Sequence, residues 1–555
     1  MTNPASTALS RREWLGRFSA PAVLAALAPV ASTAATVTPA GAPRSDTYNV
    51  RDHGAAGDGT TLDTAAVQAA IDACAAAGGG LVLVPAGDFL VGTIELKSHV
   101  TLHLAAQGRL LGSGDPAHYR AGRGIPPGNG NLVLLSAAGA ENVALEGAGT
   151  IDGNGARFFT GRGDNTGPGQ KSADGYFQRP HLLVFFQCRN LRLRGVFLTA
   201  SAYHAVRILQ CEHVGIEGVR IHNRANKNND GFHFNSCRHV HVTNCDVACQ
   251  DDACALFGSN RFVTIANCCF STRWSVFRFG GGESENIAIT NCLIYETYGC
   301  PIKMRGGARS RLENITFSNL VMQDVTGPIS IGLDSTSRRR NEAAPAPRGV
   351  VRNISFTGIR ATVVATGRQH ADLPFASEYR PGETRTCLTL NGVGDEYLEN
   401  ISFTDVHVTY EGGGTPAEAA VRELPAIAGE YFEIGTPPAY GCYARNVRGL
   451  TLHQVRFELR QPEARPALVF DHVTDAVLYG FNAQGSPAMT TLLRFSESRD
   501  VLLTACRALT PVPVFLRVEG ADCSGVVVDG GDLAKAAVPV ETAAGATPNA
   551  VRHRT

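Results

Sequence analysis

Two short segments carry carboxylates at a spacing that suits acid–base chemistry: Asn228-Asn229-Asp230-Gly231 and Gln250-Asp251-Asp252-Ala253. From Asp230 to Asp251 is 21 residues. In a chain wound in coils of about that length, residues one coil apart sit side by side at about 4.7–4.9 Å. Asp230 then lies beside the Asp251–Asp252 pair. Three carboxylates so close cannot all ionise cheaply, so at least one holds its proton above the ordinary range. A protonated acid next to ionised bases is the pairing that glycoside hydrolysis uses. Asn-Asp-Gly alone is also ordinary turn chemistry, and clustered carboxylates suit calcium. Two such segments in register, one with adjacent Asp residues, favour chemistry over turns.

The elements that must position these residues are visible as a repeat. A charged residue, often followed by Asn, precedes alternating apolar positions, as in Arg189-Asn-Leu-Arg-Leu, Glu212-His-Val-Gly-Ile, Arg238-His-Val-His-Val and Glu285-Asn-Ile-Ala-Ile. Copies from 189 to 313 are spaced 23, 26, 23, 24 and 28 residues apart, and the next two gaps, 39 and 47, imply insertions. Period-2 patterning with Val, Ile and Phe predicts short strands. No copy can bury its inner face alone, so the coils must stack around a shared core. The expected fold is all-β, a single parallel β-helix spanning 46–535, with a tail at 536–555. An amphipathic helix from Asp63 to Ala77, stopped by Gly78-Gly79-Gly80, is expected to cap its N-terminal mouth.

Composition limits the function classes. The 555 residues carry 50 Lys+Arg and 50 Asp+Glu, so the formal charge is +0 and no basic excess points to nucleic acid. Ser10-Arg11-Arg12-Glu13-Trp14-Leu15, followed by an apolar Ala-rich run, resembles a twin-arginine export signal. Residues 1–43 are therefore expected as signal and linker, sending a bacterial protein to the periplasm or beyond with no membrane anchor in its mature form. Fifteen cysteines recur at one place in the repeat, as in Asn244-Cys245, Asn267-Cys268 and Asn291-Cys292, which reads as a buried apolar stack rather than a disulfide framework.

The stretch from Ser201 to Gly307 resembles glycoside hydrolase family 28, the polygalacturonase-like enzymes of the pectin-lyase-like superfamily of right-handed parallel β-helices. Asn49 to Gly114 is similar to the N-terminal part of bacterial members, with Gly57-Asp58-Gly59-Thr60 and Val84-Pro85-Ala86-Gly87. The family builds its site from four segments. The resemblance implies Asp251 as general acid, Asp230 and Asp252 as the pair that activates water, and inversion at the anomeric centre. It also implies pectin degradation, a polysaccharide or oligosaccharide substrate and no cofactor or metal; a monomer is expected. Two segments depart from the family pattern. Arg273 stands where the family has His, and Pro301-Ile302-Lys303 stands where it has Arg-Ile-Lys. Lys303 keeps its place, and Arg278 or Arg305 could supply the missing charge. This rearranged grip points to a modified substrate end, another uronide linkage or another sugar.

The candidate substrate-binding set is thus Asn228, Arg273, Arg278, Lys303 and Arg305. His204 and His233 read as stacked or turn residues near the site. The insertions at Ser335–Gly349, with Arg338-Arg339-Arg340, and at Gly412–Asn446, with Tyr431, Phe432, Tyr440 and Tyr443, could wall a cleft. The aromatics there could stack on a sugar or pack the loop down. The rival readings are a calcium-dependent polysaccharide lyase of the same fold and a non-catalytic carbohydrate-binding solenoid.

Overall fold

Coil by coil, strands of alternating buried and exposed residues stack in register along the chain. A computed structural model describes residues 47–125, 131–158, 179–335, 347–377, 379–380 and 382–554. The expected export signal and the Arg338-Arg339-Arg340 loop lie outside these residues. Among the described residues every strand pairing is parallel except Arg120–Ala121 against Leu132–Val133. No described helix is long and apolar enough to cross a membrane. The architecture is the parallel β-helix that the repeat predicts.

The repeat has a conformational cause. Its second position takes the left-handed backbone: Asn190 (φ 55°), Asn286 (58°), Asn314 (56°), Asn353 (55°) and Asn400 (53°). Asn tolerates that region, where most L-residues pay about 1–2 kcal/mol. The amides also bond between coils, Asn353 Nδ2 to Asn314 Oδ1 at 3.1 Å and Asn400 Nδ2 to Asn353 Oδ1 at 3.1 Å. Where Asn is absent, rings stack instead: His213 on His239 at 4.8 Å and His239 on Phe262 at 5.0 Å. Inside, Phe317, Phe356 and Phe403 stack at 5.0 and 4.9 Å, and Cys245, Cys268 and Cys292 are buried on successive coils. All fifteen cysteines are free thiols.

At the N-terminal end, a helix spans Thr64–Ala76 and buries Val67, Ala70, Ile71 and Cys74 against the first strands. Asp63 does not cap it with its side chain; that buried carboxylate accepts from the amides of Ala56 and Gly57 at 2.7 and 2.9 Å.

The expected tail needs correction. Ala536–Ala543 pairs with Val512–Glu519, and Val551–Arg554 pairs with Val526–Asp529, so the solenoid runs to the C-terminal residues described. Pro539 lies within this strand, and among the described residues Ala536–Ala543 is bonded along one side only. An edge strand can hold a Pro because its missing N–H is not needed for pairing.

Candidate active site

One strand per coil builds the floor of the site. Phe232–Asn235 pairs with Cys254–Phe257, then with Phe277–Gly280 and Ile302–Gly306 in turn. Alternation sends Phe232, Phe234, Phe277, Phe279, Ile302 and Met304 into the core. The intervening positions face outward, and register aligns Arg207, His233, Ala255, Arg278 and Lys303 in one row. The turn before each strand carries the acids. Gly231 N donates to Asp252 O at 2.9 Å and Ala205 N to Asp230 O at 3.0 Å, which places His204, Asp230 and Asp252 on consecutive rungs. The single-coil spacing thus pairs Asp230 with Asp252, and Asp251 precedes that rung by one residue.

Each acid sits in a different environment. Asp230 is buried, with His233 Nδ1 3.0 Å from its Oδ2 and His204 Nε2 3.5 Å from its Oδ1. Burial, reinforced by the charge of Asp252, pushes the Asp230 carboxyl well above the usual range, against the pull of Arg207 and Arg179. Burial also raises Asp252, opposed by Arg278 and Lys303 and aided by Glu430. His233 is driven down to about 3, chiefly by burial and then by Arg207, so it is neutral. Asp251 is less buried. Its Oδ2 accepts from Asn228 Nδ2 at 3.3 Å and its Oδ1 from the Asp252 amide at 2.9 Å, while Thr272 Oγ1 donates to its carbonyl. Asn228, at φ 51°, is held in turn by Arg179 Nη2 at 3.1 Å. Asn229 is the turn's anchor: its side chain bonds the amides of Ala225 and Asn226 and the carbonyls of Ser201 and Tyr203.

The structure distributes the cations unevenly. Lys303 is buried, its Nζ 2.6 Å from Glu430 Oε2 and over the Trp274 ring at 4.5 Å. Arg278 Nη2 is 3.2 Å from Glu430 Oε1. Arg305 donates to the carbonyls of Met304 and Ser330 and to the Ser330 hydroxyl. Arg273 is buried between Trp274 and Tyr379, with Nη2 3.7 Å from Glu383 Oε1. Asp230, Asp252, Arg278 and Lys303 are brought together. Arg273 instead faces the segment that carries Glu383.

His204, Asp230 and His233 could also offer ligand atoms to a metal, all within 4.8 Å of one another. Two guanidinium groups, Arg207 and Arg179, already act on Asp230 with the opposing charge, so the set is poorly suited to a further cation.

Glu430, Glu383, Arg179 and Arg207 escaped sequence reasoning. Arg207 was findable, since it lies one coil before His233 in the row. Glu430 and Glu383 sit in insertions, where the repeat supplies no register. The insertion aromatics mostly pack inward: Tyr431 Oη donates to Cys387 O at 3.0 Å, and Tyr440 Oη to Gln484 O at 2.6 Å. Phe432 is partly exposed beneath Arg380, 4.6 Å from its ring centre.

Comparison with known proteins bears on the family and the fold. The family model of glycosyl hydrolases family 28 matches residues 74–374. An exopolygalacturonase of Zea mays is 26% identical over 330 residues, 57% of this chain and 76% of that protein. An exo-poly-alpha-D-galacturonosidase of Dickeya chrysanthemi is 31% identical over 265 residues, 40% of this chain and 43% of that protein. The solved family 28 exopolygalacturonase of Yersinia enterocolitica shares the fold, with a TM-score of 0.58 at 22% identity, covering 80% of this chain and 79% of that one. A family match over more than half the length, on a parallel β-helix, makes this chain a member of glycosyl hydrolases family 28, polygalacturonase-like glycoside hydrolases acting on O-glycosyl bonds.

Proposed function

We propose that this chain is an exported hydrolase that cuts α-linked pectic or related uronide chains by inverting acid–base catalysis. The observation that carries the reading is the stacking of Asp230 on Asp252, with Asp251 one residue before that rung and with Arg278 and Lys303 acting on Asp252. Asp251 protonates the glycosidic oxygen as its bond to the anomeric carbon breaks. A water attacks that carbon from the opposite face and gives its proton to the Asp230–Asp252 pair. Each member of the pair raises the cost of ionising the other, so one retains a proton while the ionised one accepts. His233 and His204 flank Asp230, and Arg179 holds Asn228, which in turn orients Asp251. Displacement by water needs no cofactor.

The insertions from 364 to 387 and from 411 to 441 lie against the site through Glu383 and Glu430. A cleft walled in this way, together with the exo-acting enzymes among the relatives, supports attack near a chain end. The twin-arginine-like N-terminus supports a periplasmic or secreted location.

Incubating the protein with a panel of pectic oligosaccharides, with products resolved by mass and by anomer, tests the reading. Release of a saturated sugar with inverted configuration is expected. An unsaturated product absorbing in the ultraviolet, abolished by a chelator, would establish a lyase instead. Binding with no product from any saccharide would point to a non-catalytic solenoid.

A further inference from the structure

Two cations beside the catalytic acids already have a carboxylate. Glu430 reaches in from the insertion between the strands Leu398–Tyr410 and Cys442–His453. One of its oxygens is 2.6 Å from Lys303 Nζ and the other 3.2 Å from Arg278 Nη2. Burial alone would raise Glu430, but Lys303, Arg278 and Arg305 more than offset it and hold the carboxyl well below its ordinary range. Two further cations on these coils are also committed. Arg305 is spent on two carbonyls and a hydroxyl, and Arg273 faces Glu383. Arg278 Nη1 and Arg305 Nε have no partner among the described residues, but both atoms are covered from solvent.

A cavity of about 300 Å³ lies between Arg278 and Arg305 on one side and Ile427, Ala428 and Gly429 on the other. That volume is at the lower end for small-molecule sites. Its lining includes three carboxylates, Asp334, Glu430 and Glu433, against two guanidiniums. A sugar carboxylate entering there would meet Arg278 already paired with Glu430 and a lining with more carboxylates than guanidiniums.

We infer that Glu430 is a specificity-determining residue that takes the place of a substrate carboxylate at Lys303 and Arg278, so that this cavity receives an uncharged sugar residue. This rests on the hydrolytic reading above and narrows it. The uronide chain presents a neutral unit at this position, and like-charge repulsion from Glu430 disfavours a uronate.

The test uses two α-linked uronide oligosaccharides identical except that one unit carries CH2OH in place of its carboxylate. With the wild-type chain, kcat/KM is expected to favour the reduced saccharide. Glu430→Gln should raise kcat/KM on the carboxylated one by at least about tenfold relative to the reduced one. Wild-type preference for the carboxylated saccharide would overturn the inference. So would a Glu430→Gln variant that loses on both with an unchanged ratio. Glu430→Asp keeps the charge and should keep the wild-type ratio, which guards against a misfolded Gln variant. Titration calorimetry on Asp251→Asn, with and without Glu430→Gln, reads the same preference as a ratio of dissociation constants. If nothing is turned over, the hydrolytic reading fails, while that ratio still decides the role of Glu430.

Discussion

Asp230 is enclosed by two neutral imidazoles and stacked on a second carboxylate, and its carboxyl is held well above the usual range. The folded chain keeps a proton on Asp230 that the unfolded chain releases near the ordinary Asp value. The folded state then binds more protons, so this group makes stability fall as pH rises above that value. His204 and His233 are lowered and act in the opposite sense below about pH 6.5. Comparison with a variant therefore isolates the carboxyl. Asp230→Asn should reduce the loss of melting temperature between about pH 5 and pH 8; an unchanged loss would mean that Asp230 ionises freely. Asp251→Asn is expected to lower kcat by about 10²- to 10⁴-fold with little change in KM, measured as sugar release. The three acids were legible from spacing because one coil converts sequence separation into contact. Their unequal environments were not, since His204 and Arg207 approach Asp230 from one coil and Arg179 from the coil before it.

Among the elements, the asparagine ladder sets the register that aligns the site. Asn314 holds φ 56°, accepts from Asn353 at 3.1 Å and donates to Asn286 at 3.4 Å. Asn314→Ala loses those bonds and strains the backbone, which together should cost about 2 kcal/mol. Asn314→Gly loses the bonds but keeps the conformational freedom, and should cost about half as much. Urea unfolding of both variants checks the difference; equal losses would remove the backbone contribution. The recurring Asn and the period-2 apolar positions made these strands readable. The insertions were readable only as gaps in the repeat, because a loop obeys no period. Their aromatics turned out chiefly to fasten the loop, as the bonds of Tyr431 and Tyr440 show.

At the scale of the molecule, a solenoid is stabilised by each coil covering the next, so its last coils carry weight. Ending the chain before Ala536 would uncover one side of Val512–Glu519 and remove one of the two partners of Val526–Asp529. The expected result is a lower melting temperature and aggregation through the new edge, read by thermal scanning with light scattering. An unchanged transition would show that the final strands add little. The sequence by itself determined the parallel β-helix, the meeting of Asp230 with Asp252 and the stacked cysteines, because all follow from one repeat and its period. Only the tertiary structure decided which charges oppose one another across the cleft. Glu430 lies 127 residues beyond Lys303, and no periodicity links them. Their contact depends on how an insertion folds back on the coils, which is settled by packing in three dimensions.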